Sequence, residues 1–184
     1  MVVAVLCGAR DVVTVCPAFL VLSLRDDGGL GERDMGKSIG CLFVHLVFAT
    51  KLRERLIDRE VRFLFDSKVV EILDEMQCET LAVNSVEDHV HVLLQISRDL
   101  SVAQLTKDLK RLTSRWMKTQ GERLSEFSWQ VGYGAFSVSM SQVSKVKRYI
   151  ALQESHHQLV DFAEEFTGLL KAHGVEFDGD GIWD

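Results

Sequence analysis

The chain has 184 residues, of which 47% are hydrophobic and 26% are charged, and its formal net charge is −6. This length suits one soluble domain with a core of its own, and it leaves too little chain for two domains of ordinary size. An acidic total does not exclude nucleic-acid binding, because phosphates are bound by local basic patches.

The charge is unevenly distributed along the chain. Residues 1–34 carry three basic and five acidic groups, and residues 154–184 carry one basic and eight acidic groups. Of the 21 basic and 27 acidic groups, residues 35–153 therefore hold 17 basic and 14 acidic, a net charge of +3. We expect any contact with nucleic acid to come from this middle segment.

The first 34 residues differ from the rest and are predicted to be an extension, with one domain spanning residues 35–184. An apolar stretch at residues 12–24 is too short to cross a membrane and is interrupted by Pro17, so no membrane association is expected. A degenerate export signal is the alternative for this segment. The four cysteines show no CxxC spacing, which favours reduced thiols and a cytoplasmic location.

From residue 40 onward, hydrophobic periodicity predicts a regular alternation of elements. In chain order these are a strand over 40–49, a helix over 59–76, strands over 79–86 and 89–96, a helix over 101–118 capped by Ser101, a strand over 134–140, and helices over 142–157 and 158–172. The order β-α-β-β-α-β predicts an α+β, ferredoxin-like fold. We expect an antiparallel sheet with helices on one face and the other face free, followed by a C-terminal helix.

Two histidines stand two residues apart in the predicted strand 89–96. Because side chains alternate along a strand, His89 and His91 point to the same face, with Cα atoms about 6.5–7 Å apart. Two imidazoles at this spacing can hold one metal ion. An isolated pair of this kind is more often a pair of surface histidines, so the motif needs support from elsewhere in the chain.

That support comes from the predicted helix over 142–157. Tyr149 and Gln153 are four residues apart, which places them on one helical face. Lys145, Lys147 and Arg148 surround the tyrosine with positive charge. A phenol with a pKa near 10 is a poor nucleophile at neutral pH, and nearby cations or a metal ion would make it usable.

Together these motifs resemble the single-tyrosine HUH transposases of the IS200/IS605 insertion sequences and their repeat-associated relatives. The agreement covers roughly residues 38–184. The segments that carry it are VHLVFATK at 44–51, DHVH at 88–91, WQVGYGAFSVS at 129–139, YIALQESHH at 149–157 and the terminal Trp183-Asp184. Two departures are Glu54, where a basic residue or proline is usual, and a C-terminal tail without the expected basic-aromatic pair.

The resemblance implies a DNA transposase that cuts and rejoins single-stranded DNA and binds hairpins at the ends of an insertion sequence. It assigns Tyr149 as the nucleophile that forms a 5′-phosphotyrosine, and His89, His91 and Gln153 as ligands of a divalent metal ion, Mg²⁺ or Mn²⁺. It also implies a homodimer in which active sites can be shared between chains. Whether Tyr149 acts on its own or the partner's histidines stays open.

Basic residues of the middle segment are candidates for DNA contacts. They are Lys51, Arg53, Lys107, Lys110, Arg111, Arg115, Lys145, Lys147 and Arg148. For a helix such as 101–118, a solvated face is the plainer interpretation, and only the neighbouring motifs favour a phosphate-binding surface.

Other functions and other residues stay open. A domesticated relative would bind hairpin DNA or RNA without transposition, and a small metallohydrolase would use Glu87 or Asp88 but give the tyrosine helix no role. Tyr133 is the only other tyrosine, and His157 is a possible substitute for Gln153 as a ligand. His45 is interpreted as a core histidine.

Overall fold

The computed structural model describes residues 40–153 and 161–176, which all belong to the unit Ile39–Asp184. The predicted extension 1–34 lies outside the described residues, and so do residues 154–157 of the predicted tyrosine helix. The helices and strands, in chain order, are β1 (Phe43–Ala49), α1 (Arg59–Glu75), β2 (Glu79–Ser85), β3 (His89–Gln95), α2 (Val102–Met117), β4 (Gly134–Val138), α3 (Val143–Ala151) and α4 (Phe162–Ala172).

The four strands form one antiparallel sheet in the order β2-β3-β1-β4. Strand β3 is inserted between β1 and β2, and β4 lies at the edge beside β1. This is the split arrangement of a ferredoxin-like fold, so the predicted fold class is confirmed. Strands β1 and β3 are central, and their register places His89 opposite Ala49 and His91 opposite Val47.

Helices α1 and α2 lie on one face of the sheet and close the larger core. Their buried side chains include Phe65 and Leu109, which belong to the same apolar cluster as Val90, Val92 and Leu94 of β3. Both helices begin at side-chain caps, as the sequence predicts for α2. Asp58 accepts hydrogen bonds from the first turn of α1, and Ser101 accepts one from the first turn of α2.

Helices α3 and α4 pack on the opposite face, so this face is not left free. A second apolar cluster forms where α4 meets β1 and β4. Its buried members are Val47, Ala49, Phe136, Phe162, Phe166 and Leu170. The three α4 residues are spaced i, i+4 and i+8, which is one stripe of a helix, and burying that stripe is the physical reason why α4 covers the sheet.

The observed elements are shorter than the predicted ones. The largest difference is in the tyrosine helix, which was predicted over 142–157 but ends at Ala151 with Leu152 as its C-cap, so that Gln153 follows the helix. Strand β1 begins at Phe43 rather than residue 40, and β4 ends at Val138 rather than residue 140. Cys41 and Cys78 are free thiols. Among the described helices, none combines the length and the apolar character needed to cross a membrane.

Candidate active site

The alternation of side chains along β3 separates an apolar face from a histidine face. Val90, Val92 and Leu94 enter the core under α1 and α2, while His89 and His91 point to the face covered by α3 and α4. Both imidazoles are fully buried, and their ring centroids are 5.1 Å apart. The structure therefore brings the two histidines together as the period of two predicts.

Each imidazole is oriented by a hydrogen bond at its Nδ1 atom. His89 Nδ1 lies 2.7 Å from Asp88 Oδ1, and His91 Nδ1 lies 3.0 Å from His45 Nε2. Burial lowers the pKa of His45 to about 3, with the neighbouring His91 adding to the effect, so His45 is neutral and can accept. When both Nδ1–H groups donate, the Nε2 atoms keep their lone pairs for a ligand.

The interpretation of His45 as a core histidine is therefore incomplete. It is buried, but it also fixes the ring of His91. Spacing could not reveal this contact, because His45 lies on β1 and meets β3 only when the sheet forms.

Helix α3 brings Tyr149 and Gln153 to the same place. It is anchored to β2 by the side chain of Asn84, whose Nδ2 donates a 2.7 Å hydrogen bond to the carbonyl of Ile150. The Tyr149 ring centroid lies 5.9 Å from that of His91, and Gln153 is fully buried just beyond the end of the helix. The four predicted residues thus converge within one chain.

A fifth residue, Glu165 of α4, stands in the middle of this group and was not predicted. Its Oε1 atom accepts hydrogen bonds from the Tyr149 hydroxyl and, at 2.8 Å, from Gln153 Nε2. The same carboxylate lies 3.7 Å from His89 Nε2 and 3.5 Å from His91 Nε2. In the sequence, Glu165 is one of eight acidic residues of the C-terminal segment, and no local signal separates it from the others.

The protein groups around Tyr149 keep its hydroxyl protonated. Burial raises the pKa of Tyr149 well above its usual value, and the hydrogen bond and negative charge of Glu165 raise it further, while Gln153 acts in the opposite direction. The neighbouring Lys145, Lys147 and Arg148 are exposed. Without a further cation at the site, the phenol is therefore a weak nucleophile.

Behind His89, a second group of charges links β3 to α4. Arg53 donates to Asp88 at 3.1 Å and to Asp161 at 3.1 Å, and its guanidinium lies 5.1 Å from the centroid of the Phe162 ring. Burial alone would raise the pKa of Asp88, but the hydrogen bonds and charges of His89 and Arg53 outweigh it and hold the pKa below its ordinary value. Asp88 is thus an anion that orients His89.

The donor atoms at the centre fit a divalent metal ion. Three residues each offer one possible ligand atom, and these atoms lie within 4.8 Å of one another. The three residues are His89, His91 and Glu165, and all of them are buried. Within residues 40–153 and 161–176, the buried atoms Gln153 Oε1 and His91 Nε2 have no hydrogen-bond partner. Buried polar atoms rarely lack a partner, and a bound metal ion would supply one for both Gln153 Oε1 and His91 Nε2.

The residues predicted to contact DNA are not all in one place. Lys145, Lys147 and Arg148 are exposed on α3 beside the site, and Lys51 is exposed near the start of the β1–α1 connection. The exposed Lys107, Arg111 and Arg115 belong to α2, on the face of the sheet opposite the histidines.

Two of the predicted DNA contacts are engaged within the protein. Arg53 pairs with Asp88 and Asp161, and Lys110 Nζ donates to the carbonyl oxygens of Gln130, Val131 and Gly132. Roles in DNA binding stay predictions for all nine residues.

Tyr133 lies away from the histidine pair, at the edge of the sheet. It lines a cavity of about 420 Å³ together with Phe136, Phe166 and His173. Its side chain is partly exposed.

A ferredoxin-like sheet whose central strand presents two histidines to a helix-borne tyrosine is the arrangement expected of a tyrosine transposase. The sequence profile described as "Transposase IS200 like" matches residues 39–153, well over half of the chain. The chain belongs to this IS200-like transposase family, which supports DNA transposase as its enzyme class.

Individual relatives agree with this assignment. The ISDra2 transposase TnpA of Deinococcus radiodurans is 25% identical over 118 residues, which are 61% of this chain and 82% of that protein. A crystal structure assigned as a transposase from the same organism has a TM-score of 0.52 at 23% identity and covers 66% of this chain and 98% of its own. The structure of the REP-associated tyrosine transposase bound to a REP hairpin has a TM-score of 0.50 at 13% identity, covering 71% and 76%. These two structures support the fold.

Proposed function

We propose that this chain cleaves and rejoins single-stranded DNA through a 5′-phosphotyrosine intermediate, with Tyr149 as the nucleophile. The observation that carries the proposal is the meeting of two buried imidazoles, a tyrosine hydroxyl and a buried amide around one point. These residues come from β3 and from the segment formed by α3 and the residues just after it, which are far apart in the sequence. A structural role alone gives no reason for such a group.

His89, His91 and Gln153 are proposed to hold a divalent metal ion, Mg²⁺ or Mn²⁺, through their two Nε2 atoms and Gln153 Oε1. When bound, the ion would polarise the scissile phosphate and offset the charge that develops on it. Two observations support this ligand set. Asp88 and His45 orient the imidazoles, and Gln153 Oε1 is buried without a hydrogen-bond partner among the described residues.

The proposed reaction conserves the energy of the phosphodiester. The Tyr149 oxygen forms a bond to phosphorus while the bond from phosphorus to the 3′-oxygen breaks. The hydroxyl proton already lies in a hydrogen bond to Glu165, which can accept it and return it to the departing 3′-oxygen. Attack by another DNA 3′-hydroxyl on the phosphotyrosine then reverses the bond changes and joins new ends.

The DNA is proposed to be single-stranded, with hairpins at its ends. The REP-associated tyrosine transposase, which shares the fold, was solved with a REP hairpin bound, and this supports hairpin recognition here. Exposed basic residues beside Tyr149, namely Lys145, Lys147 and Arg148, are suited to phosphate contacts next to the site.

The tyrosine is proposed to act on a phosphate held by its own chain, because Tyr149 lies beside His91 of the same chain. The homodimer and the cytoplasmic location stay predictions from the sequence. A dimer would be compatible with this arrangement in cis, and exchange of α3 between chains is not required for the site to be complete.

The decisive experiment uses labelled single-stranded hairpin DNA, Mn²⁺ and a denaturing gel. We expect the unmodified protein to form a covalent adduct and Tyr149→Phe to form none, because the phenylalanine ring lacks the attacking oxygen. Tyr133→Phe is the matched control, since it removes the only other tyrosine hydroxyl of the chain, and it should still form the adduct.

Each other outcome assigns a different function. An adduct formed by Tyr149→Phe would end the proposal. DNA that is retarded on a native gel but never linked to the protein would identify a hairpin-binding module. Fragments released without an adduct would identify a hydrolase.

A further inference from the structure

Glu165 is the one acidic side chain of α4 that enters the site. It is 5% exposed, whereas Glu164, its neighbour on the same helix, is exposed to solvent. Its carboxylate touches Tyr149 and Gln153 through hydrogen bonds and faces both histidines. Glu165 also lies beyond residues 39–153, the segment that matches the family profile.

The distances from Glu165 to the histidines are slightly longer than those between atoms that share an ion. At 3.5 and 3.7 Å, the two Nε2–carboxylate separations are longer than an ordinary hydrogen bond of about 2.7–3.2 Å. Two ligands held about 2.1 Å from one metal ion at tetrahedral or right angles lie about 3.0–3.4 Å apart. A small inward adjustment would therefore let all three residues bind one ion.

The packing of α4 holds Glu165 at this place. Phe162 and Phe166 flank it on the buried stripe of the helix, and the Phe162 ring stacks on His89 with centroids 4.2 Å apart. Gly134 of β4 makes room for the other ring, because a Cβ atom there would lie 2.6 Å from Phe166. The carboxylate is thus delivered by a close-packed helix, as ligand side chains in well-ordered sites are.

We infer that Glu165 is a fourth protein ligand of the divalent ion, added by α4 to His89, His91 and Gln153. The inference rests on the proposed metal site and extends it. A carboxylate adds a negative charge to a ligand set that is otherwise neutral, which strengthens the attraction for a divalent cation. Carboxylate and amide oxygens beside two imidazoles also favour Mn²⁺ over softer metals that prefer sulfur ligands.

An opposite role for the same contacts makes a different prediction. A carboxylate that merely filled the place of the DNA phosphate would compete with DNA and contribute nothing to metal binding. Its removal would then leave the affinity for Mn²⁺ unchanged.

The test is calorimetric titration of the DNA-free protein with Mn²⁺, compared for the unmodified chain, Glu165→Gln and Glu164→Gln. The two variants remove the same charge from adjacent positions of one helix, and only the first is buried in the site. Loss of an outer-shell partner alone weakens metal binding about 10–100-fold. We therefore expect the dissociation constant of Glu165→Gln, which loses a direct ligand, to rise more than about 100-fold, while Glu164→Gln matches the unmodified protein. A rise of only about 10–100-fold would mean that Glu165 merely positions Gln153 and would overturn the inference.

A second measurement guards against a folding defect. Glu165→Asp keeps the charge with a shorter reach and should bind Mn²⁺ with an affinity between those of the unmodified protein and Glu165→Gln. Circular dichroism of all variants reports whether the fold is retained. Equal Mn²⁺ affinity of folded Glu165→Gln and unmodified protein would overturn the inference and leave the proposed function intact. Absence of Mn²⁺ binding by the unmodified protein would overturn the metal site itself.

Discussion

The two faces of the sheet use the same strands for different purposes. Under α1 and α2, β3 contributes Val90, Val92 and Leu94 to an apolar core. On the other face, the alternating residues include His89 and His91, which are equally buried but lie between polar side chains and the smaller apolar cluster of α4. The first face is stabilised by the removal of apolar surface from water, whereas the second face combines a smaller apolar cluster with side chains that hold the donor atoms in place.

Within β3, one set of alternating side chains therefore contributes mainly to stability, and the other set contributes to the candidate site. Burying imidazoles and a carboxylate costs free energy unless each has a partner, so the histidine face contributes less to folding than the apolar face does. The larger core on the apolar face offsets that cost. Substitutions on the apolar face should consequently change the free energy of unfolding, whereas substitutions on the histidine face should change the affinity for the metal ion.

The largest change in stability is expected at the apolar face. Phe65→Ala removes a fully buried ring that packs near Trp129, and we expect the free energy of unfolding to fall by about 3–5 kcal/mol. Phe63, on the same helix, is 76% exposed, so Phe63→Ala should change it by less than about 0.5 kcal/mol. Urea unfolding measures both. Similar values for the two variants would contradict the assignment of this face as the stabilising core.

A smaller free-energy change, measured as a loss of metal affinity, is expected at the histidine face. Asp88→Asn weakens the acceptor that orients His89, and we expect the affinity for Mn²⁺ to fall about 10–100-fold. Glu87→Gln is the matched control, because Glu87 is exposed and pairs with the exposed Arg55. Calorimetric titration compares them. If Asp88→Asn bound Mn²⁺ as tightly as the control, orientation by Asp88 would be refuted.

The smallest effect on the site is expected from α2, which lies across the sheet from it. Replacing Arg111 and Arg115 by Gln should weaken hairpin binding. Because each arginine would neutralise one phosphate of a double-stranded stem, the slope of log affinity against log salt concentration should become about 2 less steep. Adduct formation at saturating DNA should be unchanged. Lys68→Gln on α1 removes a charge already paired with Glu71 and serves as the control. An unchanged salt slope in the double variant would exclude α2 as a phosphate-binding surface.

Much of the fold could be predicted because its signals are local. The alternation over β3, the capping serine before α2 and the helical stripe of α1 each depend on residues close in sequence, and each element formed within a few residues of its predicted bounds. Candidate residues for the site came from an i, i+2 pair on a strand and an i, i+4 pair on a predicted helix, and the family resemblance supplied their roles. Tyr149 and Gln153 meet the histidines because α3 packs against β2 and β3.

What the sequence alone determined is therefore the set of elements, the family resemblance and four residues of the candidate site. Only the tertiary structure decided which distant groups join them. Glu165 and His45 carry no local sequence signal that would place them in the site. The basic residues of α2 were expected beside the site, but they lie on the opposite face of the sheet. The physical reason is that periodicity specifies which side of an element is buried, whereas the packing of whole helices and strands specifies what it is buried against.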